Sequence, residues 1–189
     1  MPRTIYFDYN ATTPMDPAVR AAMQPFLGEV WGNPSSVHHV GRKARAALDD
    51  ARDRAAKFLG AKPSEIIFTS GGTEASNLAI LGTARRLKSK GRHLITSAIE
   101  HNAVLQSFDY LEKKEGFDVT RLPVNSEGRV AVDDLKKAIR PDTTLVSIMA
   151  ANNEIGTIQP RESYAIYMDR DRPYPIRSNR RSCSPWDRR

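Results

Sequence analysis

The stretch 65–87, EIIFTSGGTEASNLAILGTARRL, constrains this chain most, because its hydrophobic period changes in the middle. Ile66, Ile67, Phe68 and Thr69 form a short run of β-branched and aromatic residues that reads as a buried strand. Ser70, Gly71 and Gly72 interrupt it, and Ala75, Leu78, Ala79, Leu81 and Leu87 then recur with helical spacing. Strand, glycine turn and helix start, in that order, can make an anion site. Glycine lets a ligand approach the backbone closely, and the unpaired N–H groups and dipole of a first helical turn attract negative charge. The same residues also suit a tight turn capped by Thr73, so the rest of the chain has to decide.

Before this stretch, Asp16 and Pro17 form a cap and first-turn pair for a helix through Val19, Met23 and Phe26 that Gly28 can close. Residues 41–59 read as an amphipathic helix, apolar along Ala44, Ala47, Leu48, Ala51, Ala55, Phe58 and Leu59 and ended by Gly60. After it the rhythm alternates. Strands are expected at 93–96, 117–122 and 143–149, and helices at 102–115, closed by Gly116, and at 133–139. This predicts an α/β fold, a parallel sheet flanked by helices. Such sheets bind ligands beyond the carboxyl ends of their strands. The polar stretches SGGT, SAIEH and ANNEIG follow the first, second and fourth expected strands.

The net charge of +7 would suggest a nucleic-acid partner if it were evenly spread. It is not: residues 161–189 hold eight Arg against four acids and no Lys, so this tail carries most of the excess. Apolar periodicity also stops at Pro160. Residues 1–160 are therefore expected to form the folded domain, and 161–189 an Arg/Pro/Ser-rich disordered tail. The single cysteine, Cys183, lies in that tail and excludes an intrachain disulfide framework or a multi-cysteine metal site. No run approaches the roughly 18 apolar residues of a membrane span, and the N-terminus lacks a secretory h-region. A cytoplasmic protein with no membrane partner is expected.

Five segments together resemble the pyridoxal-phosphate-dependent cysteine desulfurases, fold-type-I enzymes of the class V aminotransferases. They are YFDYNATTPMDP (6–17), GNPSSVH (32–38), EIIFTSGGTEASNLAI (65–80), HLITSAIEHNAV (93–104) and LVSIMAANNEIGTIQP (145–160). The resemblance implies part of the large domain of that fold, with pyridoxal 5'-phosphate as cofactor. It implies that Gly72 and Thr73 hold the cofactor phosphate, that His101 stacks on the pyridine ring and assists proton transfer, and that Asn153 bonds the phenolic oxygen. Asn33 falls near the substrate carboxylate. From the residues alone, His101 reads equally as a polar helix-start residue, the reading kept for His38, His39 and His93. Asn152 and Glu154 read as loop structure.

Family members convert L-cysteine to L-alanine and pass the sulfur, as a persulfide, to acceptors for iron–sulfur cluster assembly and thio-modification. The resemblance thus implies L-cysteine as substrate, sulfur-acceptor or scaffold proteins as partners, and a homodimer. It ends at Pro160, before the positions of the family's Schiff-base lysine and persulfide cysteine. No Lys follows Lys137, and Cys183 does not match the nucleophile's context. The expectation is an N-terminal portion, truncated or frameshifted after Pro160 and inactive by itself. Two rival readings stand beside it. One is a selenocysteine lyase or other lyase of the same fold. The other is a non-catalytic fragment whose Arg-rich tail binds nucleic acid, which the absence of a stacking array of aromatics disfavours.

Overall fold

The computed structural model describes residues 5–160. The expected tail, with Cys183, lies outside the described residues. The chain divides into two units, one ending at Phe68 and the other beginning at Thr69.

In the first unit, α1 (Pro17–Met23) starts at Asp16, whose carboxylate accepts the Ala18 amide proton at 2.7 Å. A 3-10 turn, Gln24–Leu27, continues it to Gly28. The long helix α2 (His39–Leu59) is capped by the His38 ring, which accepts from the Gly41 amide at 3.3 Å. It ends at Gly60 with φ of 66°, a left-handed conformation natural to glycine at a helix C-terminus. Much of its apolar stripe is uncovered, with Phe58 78% and Leu59 67% exposed.

In the second unit, α3 (Gly72–Leu87), β1 (His93–Ser97), α4 (Asn102–Glu115), β2 (Asp118–Leu122), α5 (Val132–Ala138) and β3 (Thr143–Ser147) follow in order. The strands form a parallel sheet, β2-β1-β3, in which Ile95 stands opposite Thr120 and Val146. A bulge between His93 and Leu94 shifts the β3 register. Strand β1 is central and buried at all five residues. Its alternating side chains therefore serve two cores. Leu94 packs with Ile80 and Ala84 of α3 and Phe108 and Leu111 of α4, while Ile95 packs with Leu122, Val130 and Leu135 of α5 on the opposite face. The expected α/β architecture, a parallel sheet between helices, is the observed one.

One expected strand is absent. Residues 66–69 pair with no described strand, and Ile67 and Phe68 are 69% and 49% exposed. An apolar β-branched run becomes a strand only when a neighbour supplies the ladder, and the sheet of the described residues closes at β2 and β3. The ANNEIG stretch thus follows the third strand.

Candidate functional site

The start of α3 is built by local bonds. Ser70 donates its amide at 2.6 Å and its hydroxyl at 2.7 Å to one oxygen of Glu74. Those two bonds, the hydroxyl first, hold the Glu74 carboxyl below its usual range. Gly71 precedes the helix with no side-chain cap, and Gly72 and Thr73 are its first two residues. All three are exposed. A Cβ placed on Gly71 or Gly72 would meet nothing within 4 Å, so the backbone there is open to a ligand. N–H groups of a first turn have no partner inside the helix, so such an end can take an anion.

His101 is the cap of α4. Its Nδ1 accepts from the Ala103 amide at 3.1 Å, which places the proton of a neutral ring on Nε2. The ring is exposed. Between His101 and Thr73 runs a connected series of hydrogen bonds. Asn77 Nδ2 donates to the Thr73 carbonyl at 2.8 Å. The Ser107 hydroxyl lies 3.1 Å from Asn77 Oδ1 and 2.8 Å from the Ala103 carbonyl, one proton serving two acceptors. The structure thus sets the first turns of α3 and α4 at the same end of their shared layer, joined through the half-buried Asn77 and the buried Ser107. The surface groove between these helices is lined by Asn77, Leu81, Arg85, Ser107 and Tyr110 among others, and by none of the residues assigned from the sequence.

Asn153 follows β3 in an exposed turn, where its Nδ2 donates to Glu154 Oε1 at 2.8 Å. Its neighbour Asn152 shapes that turn: Asn152 Oδ1 accepts from the amides of Glu154 and Ile155, at 2.9 and 3.0 Å. Asn152 Nδ2 reaches the Ile99 carbonyl at 2.9 Å, tying this turn to the one that carries His101. Asn33 belongs to the first unit, where its Oδ1 accepts from the Ser35 amide at 2.9 Å.

Several structural side chains escape a reading of the sequence. His93 is fully buried, with Nδ1 2.7 Å from the Thr143 hydroxyl and Nε2 2.8 Å from that of Thr120, so it staples the three strands. Burial, and then the Arg140 guanidinium, push its pKa below the usual value. Glu100 is 8% exposed and its pKa is raised by that burial. Asn77 and Ser107 interrupt otherwise apolar helix stripes, at three residues before Ile80 and three after Val104. A polar residue on an apolar stripe was the available signal.

Among the described residues no helix is long and apolar enough to cross a membrane. The family model described as Aminotransferase class-V matches residues 5–171. The chain is 56% identical to "Cysteine desulfurase IscS" of Dictyoglomus turgidum, over 90% of this chain and 45% of the relative. It is 49% identical to "Putative cysteine desulfurase IscS 1" of Bacillus subtilis, with the same coverage. Among solved structures, a "NIFS-LIKE PROTEIN" superposes with a TM-score of 0.81 at 46% identity, covering 86% of this chain and 44% of that one. The apo cysteine desulfurase of Thermococcus onnurineus NA1 gives 0.77 at 29% identity, over 86% and 40%. The chain spans less than half the length of these relatives. From its alternating strands and helices to these matches, it belongs to the aminotransferase class-V family.

Proposed function

We propose that this chain carries the cofactor-holding part of a pyridoxal-phosphate-dependent cysteine desulfurase. The observation that supports this best is the bonded path from Thr73 to His101, which sets an uncapped helix start beside a ring-bearing turn. Gly72 and Thr73 would take the cofactor phosphate on their amides, and the Thr73 hydroxyl adds a donor. His101, with Nδ1 accepting from the Ala103 amide, offers a flat ring for stacking and a site for proton transfer. Asn153 supplies an amide donor to a phenolic oxygen, and the family assigns Asn33 to the substrate carboxylate. When bound, pyridoxal phosphate supplies an electron sink that weakens bonds at the substrate's α- and β-carbons. The substrate is L-cysteine, the sulfur acceptors are partner proteins of iron–sulfur assembly or thio-modification, and the compartment is the cytoplasm.

The test is a titration of the 189-residue chain with pyridoxal phosphate, followed by cofactor fluorescence and competed with inorganic phosphate. Weak, phosphate-sensitive binding that Thr73→Val reduces severalfold is expected. Binding indifferent to both Thr73→Val and phosphate would sink the proposal. Alanine release from cysteine is expected to be absent, since no Lys follows Lys137 to bond the cofactor aldehyde.

A further inference from the structure

Glu100 sits where the turn leaves β1, one residue before His101. Its carboxylate is buried, yet among the described residues it has no cation partner. Such burial is costly unless hydrogen bonds offset it. Both of its bonds go to Oε1: the Ser97 hydroxyl donates at 3.0 Å, and the Met149 amide, from the segment after β3, at 2.5 Å. The second tie between these segments runs the other way, from the Asn152 side chain to the Ile99 carbonyl. Each segment thus gives one side chain to the other's backbone. The two bonds lie just ahead of the residues assigned to the ligand, since His101 directly follows Glu100 and Asn153 directly follows Asn152.

We propose that Glu100 is a positioning residue: with Asn152 it forms a two-sided latch that holds the segment after β3, and with it Asn153, against the turn that presents His101. The latch rests on the function proposed above only in treating His101 and Asn153 as ligand-facing. Its geometry explains the residue type. A carboxylate oxygen can accept from a hydroxyl and an amide at once, which no apolar side chain at position 100 could do.

The experiment compares the 189-residue chain with Glu100→Ala, Glu100→Gln and Asn152→Ala, by amide hydrogen exchange and by NMR of the histidine rings. In Glu100→Ala, the Met149 amide is expected to exchange about tenfold faster, while β2 amides keep their wild-type rates. Glu100→Gln keeps an acceptor and is expected to restore protection. Asn152→Ala is expected to shift the His101 ring resonances although it touches no atom of that ring. Equal Met149 protection in wild type and Glu100→Ala would overturn the latch. So would a glutamine variant as open as the alanine one, or an unmoved His101 signal in Asn152→Ala. If Glu100→Ala fails to fold, the glutamine and Asn152 variants decide by the same readouts. A parallel pyridoxal phosphate titration keeps the two readings apart. A wild-type chain that binds no cofactor removes the proposed function, while the exchange and ring signals alone judge the latch.

Discussion

The Ser107 hydroxyl lies 3.1 Å from Asn77 Oδ1, and this part-buried contact joins the second turns of α3 and α4. Ser107 is 2% exposed and Asn77 is half-buried, so the contact is largely shielded from water. Asn77→Ala is expected to cost about 0.5–1.5 kcal/mol, the net worth of one hydrogen bond, because the Ser107 hydroxyl keeps the Ala103 carbonyl as its acceptor. In a double-mutant cycle with Ser107→Ala, the coupling is expected to be at least about 0.5 kcal/mol. Urea denaturation of the four proteins measures both, and additive effects would contradict a working contact.

Thr96 offers the opposite case. Its hydroxyl is buried in β1 and has no hydrogen-bond partner among the described residues. Valine has nearly the same shape and suits a central strand. Thr96→Val should therefore leave stability unchanged or raise it by about 1 kcal/mol, because no bond is lost and a desolvated hydroxyl is removed. A lower melting temperature would show that the hydroxyl has a partner in solution.

Two buried ionisable groups give pH dependences of opposite sign. Burial first, then Arg140, lowers the His93 pKa from its ordinary 6.5, so folding favours the neutral ring. Its contribution is complete above 6.5 and is lost as pH falls toward the folded value, because the unfolded chain takes the proton first. Burial raises the Glu100 pKa above its ordinary 4.5. Its contribution is complete below 4.5 and is lost as pH rises through the folded value. His93→Gln should flatten the acid-side decline, whereas Glu100→Gln should flatten the decline on raising the pH. Unfolding midpoints across pH 4.5–6.5 provide the check, with slopes moving the same way in both variants as the contrary result.

His101 combines a structural and a chemical assignment that substitution can separate. His101→Ala removes the bond to the Ala103 amide and is expected to cost about 1 kcal/mol, as for other helix caps. Asparagine is a favoured cap, so His101→Asn should recover that stability. It should not recover pyridoxal phosphate binding, since it has no ring to stack. Thermal melts and cofactor titration of the two variants test this, and full recovery of binding in His101→Asn would remove the stacking role.

Gly91 is required for crowding rather than for its backbone angles. A Cβ there would lie 2.2 Å from the Asp142 carbonyl oxygen, at the edge where that oxygen also accepts the His93 amide. Backbone must move to admit a methyl group. Gly91→Ala is expected to destabilise by about 1–3 kcal/mol, read as a lower urea midpoint, and a neutral result would mean that this edge yields freely.

How far the chain alone could be read follows from where each instruction resides. Helix α4 is legible from Asn102 to Gly116 because its period, its entry turn and its closing glycine are local features. The three strands were legible because each is an apolar or β-rich run between breakers. Residues 66–69 have the same composition, yet form no strand, because pairing depends on a neighbour and not on the run itself. The assigned groups were likewise readable only as separate stretches, and nothing in SGGT states that it stands near SAIEH.

The amino-acid order determined the α/β alternation, the helix ends and the family, since periodicity, capping and motif spacing act over a few residues at a time. Tertiary structure alone decided that His93 staples three strands, that Asn77 meets Ser107, and that Glu100 bridges to Met149. Burial is a property of the packed sheet. A polar side chain acquires a structural role only when chain segments far apart in sequence exclude water around it and leave one partner within reach.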